Sequence, residues 1–503
     1  MPDSPALTKN AQKTEQQDKV NRMGTGKLGM LIIEFAIPAI IGNVVNGSYN
    51  IMASIFLGIK LGEIGLATTT IAMPITTVSM AISILVGAGG NALAAIKLGE
   101  GERDTAERVL ANAFILSIVL AVLAMTLIYI FMDPVLMISG ATPELMDSAR
   151  VFVGISVGGF IFQFFGMGFV NFMRTAGNPS GALLTVLAGA LTSIALSFLF
   201  VMVLDWGIAG AAWATVFGFM VQTVIVLNYF IRSKTAPFKL KLSLMKPDFE
   251  IIRRICVLGS AAFVMQALMV VINLLLNNQL VTYGSRDPIG VAGALASIGV
   301  MSRINMFCFF PVLGVNIAVQ PLIGFNFGAK KYDRVKRAYL IALVWAASFG
   351  VFFWLLVHIF PGPIVGLFGV DEALLEFTID AVQVMMMLIP FIGIQMLTAG
   401  YFQATGQPMK SMFVSLTRQL LYLIPLLYLL PHAVERYALP LTQLQSLYYS
   451  YPIADALSIF TAGAMILIEW RRLTRMQIAQ RAEQTDGENV AELAEQAEAA
   501  ELA

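Results

Sequence analysis

The chain has 503 residues, 58% of them hydrophobic and only 13% charged, and its 32 Lys and Arg nearly balance 31 Asp and Glu for a net charge of +1. A soluble globular protein carries roughly twice that share of charge. The composition therefore excludes a soluble domain, and no nucleic acid is expected as a partner.

Apolar runs of about 20 residues, each long enough to cross a bilayer core, recur some twelve times. They fall near 29–57, 64–96, 108–132, 148–172, 181–204, 207–231, 251–282, 290–327, 338–360, 376–402, 411–431 and 447–470. Ahead of them a polar tail, 1–27, lacks the short apolar stretch and cleavage site of a signal peptide. The first span carries Glu34 near its start, Pro38, and then Asn43, Asn46, Tyr49 and Asn50. Asn43, Asn46 and Asn50 share one helix face at i, i+3, i+7. Gln163 and Asn171 follow in the fourth span.

A basic link, 233–249, precedes the seventh span, where Gln266, Asn273 and Asn277 form a second polar stripe. The stripes read either as walls of one watery cleft between two helix bundles or as interhelical hydrogen-bonding groups. Arg303 stands in the eighth span, Gln395 in the tenth, Arg418 in the eleventh and Asp455 in the outer part of the twelfth. Charges at such depth are costly and often functional. Asp455 is expected to pair with Arg303 or Arg418, either as a fixed clamp or as a pair that responds to protonation or cation binding. Glu34 is the weaker coupling candidate, since it lies where it can snorkel to the interface. The 474–503 segment reads as an acidic tail.

Gly99 and Asp104 recur as Gly328 and Asp333, Pro134 and Gly140 as Pro363 and Gly369, and Gly177 and Pro179 as Gly406 and Pro408, every pair 229 positions apart. One register held across three segments marks a duplication. It predicts an all-α polytopic membrane protein of about twelve spans in two six-helix lobes, 28–232 and 250–473. Six spans is an even number, so the lobes are related by a pseudo-two-fold axis along the membrane normal. With the N-terminus inside, 26 of the 32 Lys and Arg fall in inside segments. That bias places both termini in the cytoplasm. Cys256 and Cys308 fall in spans and suggest no disulfide framework.

No phosphate-binding loop is present; Gly24 to Lys27 lacks the spacing. His358 and His432 are far apart, and no ligand spacing for a metal occurs. Neither an enzyme nor a cofactor is expected, which leaves movement of a solute. The 34 Phe and 27 Met suit a cavity for varied amphipathic ligands.

Several strings resemble the multidrug and toxic compound extrusion (MATE) antiporters. They are FAIPAIIGNVVNGSYNIMASIFLG at 35–58, KLGEGERDTAERVLANAF at 97–114 and NFMRTAGNP at 171–179 in the first half. In the second half they are the stretch from Met301 to Ala338, GYFQATGQP at 400–408 and YPIAD at 451–455. The resemblance covers about 27–473. It implies a monomer in the bacterial cytoplasmic (inner) membrane that exports small amphipathic or cationic compounds in exchange for H+ or Na+. One departure stands out: the family's usual first-span aspartate is replaced by Ala53, and Met269 stands where some members carry a glutamate. Coupling through those positions does not carry over, and Asp455 becomes the leading carboxylate. The alternatives are a flippase of a lipid-linked precursor and a non-transporting membrane receptor or scaffold.

Overall fold

The computed structural model describes residues 21–233, 236–368, 372–438 and 440–484. Residues 1–20 and 485–503 of the two tails, and Gly369 of the repeat, lie outside the described residues.

The first half holds α1 (Leu28–Gly62), α2 (Ile64–Gly99), α3 (Arg103–Ile130), α4 (Pro143–Gly158), α5 (Phe160–Thr175), α6 (Pro179–Val203) and α7 (Gly207–Arg232). The second holds α8 (Phe249–Gly284), α9 (Gly290–Gly328), α10 (Tyr332–Ile359), α11 (Glu372–Met385), α12 (Ile389–Ala404), α13 (Pro408–Tyr437) and α14 (Gln443–Gln484). Ten of these are each long and apolar enough to cross a membrane. The pairs α4–α5 and α11–α12 each make one further span, bent by 53° and 46°. The total is twelve spans in two six-span lobes.

The duplication is visible in where helices start and stop. α3 and α10 are 229 residues apart at both ends, and so are α5 and α12. The two halves make these bends with different chemistry at matching positions. In the first half the corner is Gly159, where a Cβ would lie 2.5 Å from a methyl of Val216. In the second, Pro390 has no N–H to donate, and the chain turns through short i−3 bonds such as Ile389 N–H to Met386 O, 3.2 Å. α1 runs unbroken through Pro38 and breaks at Gly62, where φ is +59°. α14 continues helical to Gln484, past the expected start of the acidic tail.

The lobes meet along α1 with α9, α2 with α8 and, near the ends of both helices, α2 with α9. A Cβ on Gly99 would lie 2.0 Å from the carbonyl oxygen of Phe325, and one on Gly328 would lie 2.1 Å from that of Ile96. These two approaches map onto each other by the same 229-residue step, which is the signature of the pseudo-two-fold. Farther along, a Cβ on Gly259 would lie 1.9 Å from the Leu85 carbonyl. Only glycine lets backbones come this close.

The end of the bundle that carries residues 21–28 and Gln484 is called proximal here, and the opposite end distal. The largest apolar core takes residues from both lobes, including Phe35, Leu93 and Leu98 with Ile255, Leu322 and Phe325. The distal half of the first lobe instead has cores of its own: Ile71, Ile75, Leu136 and Phe160 in one, Leu57, Val201 and Ile208 in another. Neither includes a second-lobe residue. The lobes thus share a core at the proximal end and part toward the distal one.

Candidate functional site

The second lobe holds a buried track of charged and phenolic groups. Arg418 stands at the start of a π-turn, Thr417–Leu423, within α13. That geometry widens the helix by one residue per turn and recurs at functional sites. Its Nε donates to Asp455 Oδ1 on α14, and the two side chains are 12% and 4% exposed. The sequence left Arg303 and Arg418 open as partners for Asp455; the structure selects Arg418. Arg303 is exposed, because the face of α9 that packs inward carries Met301, Ile304 and Cys308. Its helix rotation turns it away from the lobe interior.

Tyr448, Tyr451 and Asp455 lie at i, i+3, i+7 on one face of α14. Tyr448 Oη donates to Asp380 Oδ2 on α11. Asp380 is a half-buried carboxylate that the sequence reading passed over. It lies a few residues inside the predicted 376–402 span, at a depth that reads as a span edge until the α11–α12 bend is known. The 229-residue step places Gly189 where Arg418 stands and Val151 where Asp380 stands. The scaffold is duplicated, but these charges are not.

The first lobe's stripe runs along α1, where residues 43–49 are all partly exposed. The side chain of Asn50 lies outside the described residues. Asn46 and Tyr49 each have a polar or aromatic partner. Gln163 accepts a hydrogen bond from Ser79 Oγ at 2.9 Å, joining α5 to α2. Asn171 accepts from Arg174 Nη1 within α5. Arg174, near the proximal end of α5, is buried at 6% exposure.

On α8, Gln266 is half-buried with its Nε2 4.0 Å from Met80 Sδ on α2, across the lobe boundary. Asn273 and Asn277 are exposed in the distal part of α8. Gln395 is buried and donates to Val414 O at 3.2 Å, tying α12 to α13. Glu34 pairs with Arg22 at 3.0 Å and is partly exposed at the proximal end, as a snorkelling side chain would be. Among the described residues, no group of three or more His, Cys, Asp or Glu could hold a metal ion.

The proximal end is strapped shut. Before α1, the backbone of residues 23–26 lies against the second lobe. Asn326 Nδ2 donates to Met23 O at 2.9 Å, Lys331 Nζ to Gly24 O at 2.9 Å, and Arg334 Nη2 to Gly26 O at 2.7 Å. Arg334 Nε also fixes Asn326 Oδ1 at 3.0 Å. The reciprocal strap is made by the link. Asp248, which caps α8, pairs with Arg108 on α3, and its N–H donates to Asn112 Oδ1 at 2.7 Å. Each lobe's lead-in segment is therefore held by the other lobe. Sequence alone could not show the first strap, because its acceptors are backbone carbonyls.

The sequence matches the MatE family pattern over residues 38–199 and 261–429. Among curated relatives, the multidrug export protein MepA of Staphylococcus saprophyticus subsp. saprophyticus is 25% identical over 447 residues, covering 88% of this chain and 94% of the relative. MepA of Staphylococcus aureus strain N315 is 25% identical over 448 residues with the same coverage. Among solved structures, an outward-facing multidrug resistance MATE family transporter of the MOP superfamily superposes with a TM-score of 0.83 at 21% identity, covering 90% of this chain and 98% of that one. A MATE crystallised with MaL6 gives 0.83 at 22%, covering 90% and 99%.

Proposed function

We propose, for a chain that belongs to the MatE family of multidrug and toxic compound extrusion transporters, that it is a secondary exporter of small amphipathic compounds working by alternating access and coupled to a proton or sodium ion. It is a multi-pass membrane transporter rather than an enzyme. The proximal end faces the cytoplasm in this reading, because Lys97, Arg103, Arg108, the link and the α9–α10 turn put the basic residues there. The conformation then has its cytoplasmic end closed and its lobes parting toward the outside.

The observation that carries the coupling is the buried Arg418–Asp455 pair. A carboxylate inside a membrane is stable only when paired or protonated. Binding a proton or cation at Asp455 competes with Arg418 for the same oxygen, so occupancy changes how α13 is held to α14. Asp380 of α11, bonded to Tyr448, offers a second carboxylate beside the same face of α14. In the first lobe Ala53 replaces the family's aspartate, and Glu34, the weaker candidate, is partly exposed at the proximal end in a pair with Arg22. Amphipathic solutes fit a cleft whose walls combine Asn and Gln stripes with Phe and Met.

The test separates clamp from coupler. Asp455→Asn alone leaves Arg418 buried without its counter-ion, a loss of about 3–5 kcal/mol. Arg418→Leu with Asp455→Leu removes both charges and should recover most of that stability by thermal unfolding. The account expects the double variant to be folded and unable to drive dye efflux from an imposed ion gradient. Gradient-driven efflux at the wild-type rate in that double variant would reduce the pair to a clamp.

A further inference from the structure

Arg174 is anomalous in the first lobe. It stands near the proximal end of α5, is 6% exposed, and forms no ion pair among the described residues. Its Nη1 reaches the neutral Asn171 Oδ1, while its buried Nε has no acceptor. Nη2 lies beside α1, where a Cβ on Gly42 would be 4.0 Å away. The next residue, Asn43, has a buried Nδ2 that also lacks an acceptor. Two neighbouring helices thus present unused buried donors, that of α1 one residue from the Gly42–Arg174 approach and that of α5 on a permanent cation.

Burying a guanidinium without a counter-charge is expensive. The carboxylates of this lobe are engaged elsewhere: the buried Glu107 of α3 pairs with Lys241 and accepts from Lys239 N–H, and Glu34 of α1 pairs with Arg22. The lobes differ in how they bury arginine: the first holds Arg174 with no acid partner among the described residues, whereas the second holds Arg418 against Asp455. Asn46, one turn beyond Asn43 on the same face of α1, continues the polar stripe toward the distal half, where the lobes part.

We propose that Arg174 and Asn43 form a subsite for an anionic oxygen group, a carboxylate, sulfonate or phosphate, carried by an amphipathic compound that the protein exports. A guanidinium beside an amide donor matches two oxygens of such a group. The proposal rests on the export reading and refines it: the substrates include organic anions and zwitterions, held by the first lobe while the second lobe handles the coupling ion.

The test uses the purified full-length protein in neutral phosphatidylcholine nanodiscs. Equilibrium anisotropy is measured with carboxyfluorescein as the anionic probe and ethidium as the cationic one. Arg174→Gln should weaken carboxyfluorescein binding by at least about tenfold, the value of a charged hydrogen bond, and leave ethidium binding unchanged. Arg174→Lys should retain most of the anionic affinity, and it keeps the test alive if the glutamine variant fails to fold. Asn43→Ala should give a smaller loss, again for the anionic probe alone. Equal losses for both probes, or undiminished carboxyfluorescein binding in Arg174→Gln, would overturn the proposal. So would displacement of carboxyfluorescein from the wild type by phosphatidylglycerol in the nanodisc, which would assign the donors to a lipid headgroup. Binding needs no ion gradient, so a failure here is distinct from a failure of gradient-driven export.

Discussion

Removing Arg334 from the proximal strap should tilt the protein toward opening at the end that carries its termini. Arg334 holds the Gly26 carbonyl at 2.7 Å and orients Asn326, which in turn holds Met23 O at 2.9 Å. These bonds cross from the segment before α1 to the second lobe, so they exist only while the two are together. One hydrogen bond from a charged donor contributes about 1.5–3 kcal/mol. Arg334 is partly exposed, and solvent screening favours the lower figure. Arg334→Met keeps the apolar stem and deletes the donors. The ratio of proximal-open to proximal-shut molecules should then rise by roughly tenfold, since about 1.4 kcal/mol corresponds to a factor of ten. Spin labels at the exposed, repeat-related Asp104 and Asp333 report that distance directly by double electron–electron resonance. An unchanged distance distribution in folded Arg334→Met protein would refute the strap as a gate.

Two further outcomes follow from the geometry. In Gly259→Leu, the new Cβ must displace the Leu85 carbonyl, 1.9 Å away in the ideal position. Overpacking of this kind costs about 1–3 kcal/mol, so the variant should insert and fold but shut poorly and export at least several-fold more slowly in a vesicle flux assay; wild-type flux would show that the close approach is dispensable. At the distal end, Arg150 hydrogen-bonds both oxygens of Asp133 at 2.8 Å and holds its carboxyl below the ordinary aspartate range. A depressed value means that the contact is intact above the unfolded value of about 4 and is lost only as pH falls through the lower folded value. Asp133→Asn should therefore leave the pH profile of transport unchanged from roughly pH 5 to 8, and a shifted profile in that window would contradict this.

The architecture was legible because a membrane leaves few options. Runs of apolar residues must be helices, and the 229-residue register of Gly99, Gly177 and their partners fixed the two-lobe plan before any coordinates. The bend at Gly159 was not legible, since glycine pairs recur throughout the spans, and a span proline alone does not mark a break: α1 runs helical past Pro38. For the site, depth along a span predicted the importance of Arg418 and Asp455 but said nothing of helix rotation. Rotation alone separates Arg418, which faces its lobe's interior, from Arg303, which faces outward. Asp380 and Arg174 were missed for the opposite reason: both lie near apparent span ends, and only the packing of neighbouring helices shows that those ends are buried. The strap contacts were beyond reach of any side-chain pattern, because their acceptors are the main-chain oxygens of Met23, Gly24 and Gly26.

The most direct measurement is efflux of a fluorescent amphipathic cation from vesicles containing the full-length protein, with H+ and Na+ gradients imposed one at a time. Export that follows one of the two gradients and stops when an ionophore dissipates it is the predicted result. Dye movement that proceeds at the same rate with and without either gradient would contradict a coupled exporter.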